Sequence, residues 1–148
     1  MSFQPHIIGV HLVFEQSGQV LLQRRSPTAP FAPGQWHVPA GHCEAEPAEQ
    51  CAVREAREEL GVSIDPRDLR LVHTLHYRDR AADALPRVQM FFQVLEYRGT
   101  PRICEPERCA ELAWHPSSAL PVRLVDYTAV ALTAIAAGRT YTAMGWGA

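Results

Sequence analysis

Apolar and polar positions alternate with a period of two along residues 7–14, where Ile8, Val10, Leu12 and Phe14 share one side of an extended chain. That pattern predicts a strand. Gln16-Ser17-Gly18-Gln19 breaks it as a turn, and Val20-Leu21-Leu22-Gln23-Arg24 reads as a second strand returning to pair with the first. Residues 26–35 contain three prolines and a glycine and predict an irregular loop. A short strand, Trp36 to Pro39, follows it. The period then changes to 3.6. Ala48, Ala52, Val53, Ala56 and Leu60 recur at helical spacing, Pro47 suits the first helical position, and Gly61 suits the left-handed residue that closes a helix. Such a helix is about 14 residues and about 21 Å long. Strand patterns return over 69–77 and 88–95, the second apolar on both faces as in the middle of a sheet. Residues 99–110 predict a loop and 111–114 a short strand closed by His115-Pro116. Residues 125–137 predict a second helix, apolar through Val125, Ala129, Leu132, Ile135 and Ala136 and ended by Gly138. Strands with one helix mid-chain and another near the end predict an α/β/α sandwich with a mixed sheet.

Composition narrows the class without altering that outline. The 148 residues suit one domain with a good core, taken as residues 1–148. A net charge of -2 offers no basic surface to a nucleic-acid polymer. No run approaches the ~18 apolar residues of a membrane span, so a cytoplasmic protein without a membrane partner is expected. Cys43, Cys51, Cys104 and Cys109 form no CxxC pair and are expected as free thiols. The sequence has no GxSxG, P-loop or GxGxxG motif, which removes the usual serine-hydrolase, P-loop and Rossmann readings.

Candidate chemistry concentrates in Gly41–Val62, GHCEAEPAEQCAVREAREELGV. Helical spacing puts Glu55, Glu58 and Glu59 on one face within an arc about 100° wide. Glu55 and Glu59, at i and i+4, repel each other by a few tenths of a kcal/mol on a bare helix, and a cation between them reverses the sign. Oxygen ligands without Cys or His suit Mg²⁺ or Mn²⁺ rather than zinc. Arg54, beside Glu55 and four residues before Glu58, is the counter-charge for this cluster.

The stretch resembles the Nudix box, Gly-x5-Glu-x7-Arg-Glu-aliphatic-x-Glu-Glu-x-Gly-aliphatic, as carried by MutT-like nucleotide pyrophosphohydrolases. Arg54, Glu55, Glu58, Glu59, Gly61 and Val62 match in register, and Glu46 stands the required eight positions before Arg54. Two positions depart from it: the Gly41–Glu46 loop is one residue short, and Ala56 occupies the aliphatic position. The resemblance implies the Nudix fold, an α/β/α sandwich with a central mixed β-sheet. It also implies hydrolysis of a nucleoside diphosphate linked to another group, here the pyrophosphate of a nucleoside triphosphate or related derivative. By the same resemblance Glu55, Glu58 and Glu59 hold Mg²⁺ with the Gly41 carbonyl, Glu58 and Glu46 assist the metal or the water, and Arg54 orients the carboxylates.

Further candidates lie outside the box. Arg24 and Arg25 end the second strand, where a guanidinium fork suits phosphate. Gln89 and Gln93 share a strand face with Phe91 and either read a base edge or satisfy backbone. Glu105, Glu107 and Glu111 are candidates for a general base, and Asp83 is read as a turn residue. Phe31 or Trp36 could cover a base, with core packing the other role for Trp36. ADP-ribose or a nucleotide sugar is an alternative substrate, a non-catalytic nucleotide-binding module an alternative function, and a homodimer a possible assembly through the Tyr141–Trp146 tail.

Overall fold

The computed structural model describes residues 2–80 and 84–147. Asp83 lies outside them. The first apolar alternation forms β1 (Ile7–Val13), and Glu15–Gln16 forms a short β2 before the turn into β3 (Gln19–Arg25). The return strand does not pair with β1, contrary to the sequence expectation. Both edges of β1 are taken, by β5 (Ala40–His42) antiparallel and by β7 (Arg87–Val94) parallel. β3 instead pairs with β2, with β4 (Trp36–His37) and along its whole length with β8 (Cys109–Pro116), so the chain changes sheets after Val13. β8 begins at Cys109, earlier than the loop pattern suggested, because β3 supplies partners as far as Arg25.

β6 (Leu69–Tyr77) and β9 (Tyr141–Met144) complete a five-stranded mixed sheet in the order β5-β1-β7-β6-β9. β7 is its central strand, as its two apolar faces required. α1 runs from Ala48 to Leu60, and Pro47 is its N-cap with extended backbone (ψ 153°) rather than its first helical residue. At the other end Gly61 is left-handed (φ 69°), and its N–H returns to the Ala56 and Arg57 carbonyls. Cys51, Ala52, Ala56 and Leu60 are buried against Val10, Leu12, Phe14 and Phe92. The small side chains let α1 sit close to the sheet, and full burial of Leu60 alone is worth about 2 kcal/mol.

α2 (Asp126–Ala136) covers the opposite face, packing Tyr127 and Ala131 with Leu75, Tyr77 and Phe91. Adjacent Phe91 and Phe92 thus serve the two different cores, and the result is the α/β/α sandwich. The fully buried residues of α2 are Tyr127, Thr128, Ala131 and Ala134. Of the expected stripe, Val125 is buried just before the helix, Leu132 and Ile135 pack half-buried on the same core, Ala129 is half-buried and Ala136 is exposed. A helix apolar almost all round does not declare its inner face. The tail packs back on its own domain: β9 lies parallel to β6, and the Trp146 indole donates to the His76 carbonyl at 2.9 Å. All four cysteines are free. Among the described residues no helix is long and apolar enough to cross a membrane.

Candidate active site

β5 is an edge strand, and α1 passes behind it. The two meet at Gly41, where a Cβ would lie 2.0 Å from Glu55 Cδ. The side chain of Glu55 therefore occupies the space that any other residue at 41 would fill. Loop and helix are tied together by Arg54. Its Nη1 donates to Glu55 Oε1 at 2.9 Å and to Glu58 Oε2 at 3.3 Å, and its Nε donates to both Glu46 oxygens at 3.1 Å. Its Nη2 donates to Glu46 and to the His42 carbonyl. The guanidinium holds the Glu46 carboxyl down at about 2, so Glu46 is an anion that anchors Arg54. The shortened loop still brings Glu46 to Arg54 and Gly41 to Glu55. Arg54→Lys keeps the charge and loses the fork. We expect it to lower kcat about 10–100-fold and to lower the melting temperature, read by steady-state kinetics and thermal unfolding.

Glu59 has a different environment. The Ala40 backbone N–H lies close enough to favour its charged form, while Oε2 is buried with no hydrogen-bond partner among the described residues. Burial, then the nearby charges of Glu55 and Glu105, push its carboxyl up to about 8. Burial also raises Glu55, against the pull of Arg54 and with Glu58 and Glu105 adding to the rise. Glu105, in the loop before β8, is therefore brought within electrostatic reach of the box. Glu111 is not, since it is exposed and paired with Arg24 at 3.4 Å. Glu107 lines the neighbouring cavity but is exposed.

An unpaired buried oxygen among mutually repelling carboxylates is what a hard divalent cation relieves. Among the described residues no three Asp, Glu, His or Cys side chains are gathered closely enough to enclose an ion alone. Mg²⁺ does not require that. It usually takes one or two carboxylates and fills its octahedron with waters and substrate phosphates. The oxygen donors here fit it.

The carboxylates open into a cavity of about 750 Å³, a size suited to a nucleotide. Arg25, Arg87 and Arg108 line it. Arg25 donates to the Phe31 carbonyl at 2.7 Å and lies over the Phe31 ring at 5.5 Å. Arg24, its neighbour on β3, points away toward Glu111. Glu58 is 53% exposed and faces Arg54 rather than the cavity. Trp36 meets His115 edge-on at 4.6 Å and does not line the cavity, whereas Phe31 does. Arg87, Arg108, His11, Gln23 and Tyr127 also reach it and were not singled out in the sequence. Gln23 left a faint signal, a polar residue ending the apolar run Val20–Leu22.

Comparison with known proteins agrees with the fold. Residues 5–133 match the NUDIX domain family. The chain is 33% identical over 118 residues to an NAD-capped RNA hydrolase NudC of Stutzerimonas stutzeri, covering 79% of this chain and 39% of that protein. It thus spans about two-fifths of that relative's length. Among solved structures it is similar to a MutT NUDIX hydrolase from Burkholderia pseudomallei, with a TM-score of 0.78, 30% identity and coverage of 88% of this chain and 98% of that one. It is also similar to the E. coli ORF135 protein, with a TM-score of 0.72, 25% identity and coverage of 90% and 91%.

Proposed function

Because this chain belongs to the Nudix hydrolase family, we propose that it hydrolyses the pyrophosphate linkage of a nucleoside triphosphate or related nucleoside diphosphate derivative, with Mg²⁺, or Mn²⁺ in its place, as cofactor. The supporting observation is Glu59 Oε2, buried and without a partner among the described residues, beside the charges of Glu55 and Glu105 on a nucleotide-sized cavity. Glu55 and Glu59 are the carboxylates that would hold the ion, with Glu58 the third on that helix face. Bound there, the ion supplies charge neutralisation on the diphosphate and a more acidic water. Arg54, anchored on Glu46, keeps Glu55 and Glu58 in place. Glu105, which lines the cavity and acts electrostatically on Glu59, is our candidate to accept the proton of the attacking water, and Arg25, Arg87 and Arg108 would offer forks to phosphate oxygens.

The similarity to a NudC protein supports a second substrate reading, a diphosphate joining a nucleoside to a second sugar-bearing group, as in NAD, ADP-ribose and nucleotide sugars. One panel separates the readings. Nucleoside triphosphates, ADP-ribose, a nucleotide sugar and NAD are incubated with Mg²⁺, with Mn²⁺ and with EDTA. We expect product only with metal: pyrophosphate or phosphate from triphosphates, or two monophosphates from the joined compounds. Nucleotide binding without any product at saturating metal would instead make the chain a binding module.

A further inference from the structure

Three side chains in the cavity carry hydrogen-bonding groups that the protein leaves unused. Gln23 on β3 faces His37 on β4 across the ladder, and both are buried (5% and 8% exposed). No side-chain hydrogen bond ties either one to the other described residues, and both line the cavity. Gln89 on β7 belongs to the other sheet and is 2% exposed. Its Oε1 accepts from His11 Nε2 at 2.9 Å, and its amide NH₂ is left for the cavity. That placement depends on Gly9, where a Cβ would lie 2.1 Å from Gln89 Oε1. His11 is fixed in turn by stacking on Phe91, with 4.4 Å between centroids and 15° between planes.

These groups are uncharged. Burial pushes the His37 imidazole down to about 3, with Arg25 adding to the shift, so it is neutral at physiological pH. A ligand that covers such a group without returning a hydrogen bond loses about 1–3 kcal/mol, so three of them on one cavity select a matching occupant. The occupant's polar edge is neutral there, since the guanidinium groups that suit phosphate are Arg25, Arg87 and Arg108 in the same cavity. Flat apolar surface lies close by. Phe31 and Tyr127 both line the cavity, with rings 22° from parallel and centroids 6.3 Å apart. A planar ring with a polar, uncharged edge and a phosphate-bearing substituent fits all of these.

We propose that Gln23, His37 and Gln89 form a neutral hydrogen-bonding subsite that receives the edge of the substrate's nucleobase and sets base preference. It rests on the hydrolase reading, which places the diphosphate at the carboxylate end. The ribose hydroxyls and the phosphates are the competing occupants.

Gln23→Leu and Gln89→Met remove the hydrogen-bonding groups at nearly constant volume, and Gly9→Ala displaces the Gln89 head without deleting it. Each variant is assayed with Mg²⁺ on triphosphates of adenosine, guanosine, cytidine and uridine and on base-free ribose 5-triphosphate, after thermal unfolding confirms that it is folded. Each folded variant is expected to raise KM for the preferred nucleotide about 10-fold at little-changed kcat. It should also flatten the ranking of the four bases and leave KM for the base-free compound unchanged. An equal KM rise on the base-free compound, or an unaltered ranking, overturns the subsite. If the wild type turns over no nucleotide, the hydrolase reading fails by itself. The subsite is then tested by equilibrium binding of the four uncharged nucleosides. Preference of about 10-fold for one base, lost in Gln89→Met, supports it, and absence of nucleoside binding at millimolar concentration overturns it.

Discussion

Glu59→Gln lowers kcat/KM by about 1,000-fold or more and, in metal-free protein, raises the melting temperature. Both effects follow from one carboxylate. The amide matches the carboxyl in size and shape, so the helix and its packing are retained, but the charge that would hold the ion is gone. A 1,000-fold loss corresponds to about 4 kcal/mol of transition-state stabilisation. Stability moves the other way. Burial and the Glu55 and Glu105 charges raise the folded-state pKa from 4.5 to about 8. A carboxyl shifted upward favours the fold while it is protonated, below its unfolded value, and loses that contribution as pH climbs through 4.5 toward 8. In EDTA the wild type should therefore weaken over this window by on the order of 2–4 kcal/mol, and Glu59→Gln should lack that part of the decline. Thermal unfolding from pH 5 to 9 with EDTA, beside assays at saturating Mg²⁺, reads both. Near-wild-type turnover in the variant would sink the proposed mechanism.

The second large effect belongs to Gly41→Ala. The added Cβ would lie 2.0 Å from Glu55 Cδ and 2.4 Å from its Cγ and Oε1. The strand cannot retreat, because β5 is held to β1 through the Val10–Gly41 pair and its neighbours. Glu55 must move, taking with it the contact to Arg54. We expect about a 100-fold fall in kcat and about 1–3 kcal/mol of destabilisation. Truncating Glu55 to Ala removes all three clashing atoms. The double variant Gly41→Ala/Glu55→Ala should be more stable than the sum of the singles by about 1 kcal/mol while staying inactive. Additive stabilities would mean that Gly41 is required for some other reason than room for Glu55.

What was legible in the sequence is what depends on neighbours along the chain. The helix from Ala48 to Leu60 followed from its small apolar stripe and its glycine stop, and the shared face of Glu55, Glu58 and Glu59 followed from the helical period. Partnerships between distant segments were not legible. Nothing local to Val20–Arg24 shows that the first strand already has a neighbour on each edge. Arg24 and Arg25 are alike as residues, and only the pleat and the Arg24–Glu111 register turn one to a partner and leave the other on the cavity. Glu105, Glu107 and Glu111 were equal candidates until the loop before β8 placed one near Glu59. The Gln23–His37 pair is a product of cross-strand register alone.

The position of β1 between β5 and β7 also constrains how the molecule assembles. Ile7 pairs with Arg87 and Val13 with Gln93, in parallel, so the first strand waits for segments far downstream before its second edge is satisfied. Closing so long a loop is entropically costly, and folds dominated by such non-local pairings form slowly. Until residues 87–94 are available, Ile7–Val13 is an apolar strand with an open edge, the kind of segment that recruits other chains. His11 and Gln89, on opposite members of that pair, come together only when it closes. The cavity wall is thus among the late features of folding, and conditions that slow closure favour association of chains over a competent site.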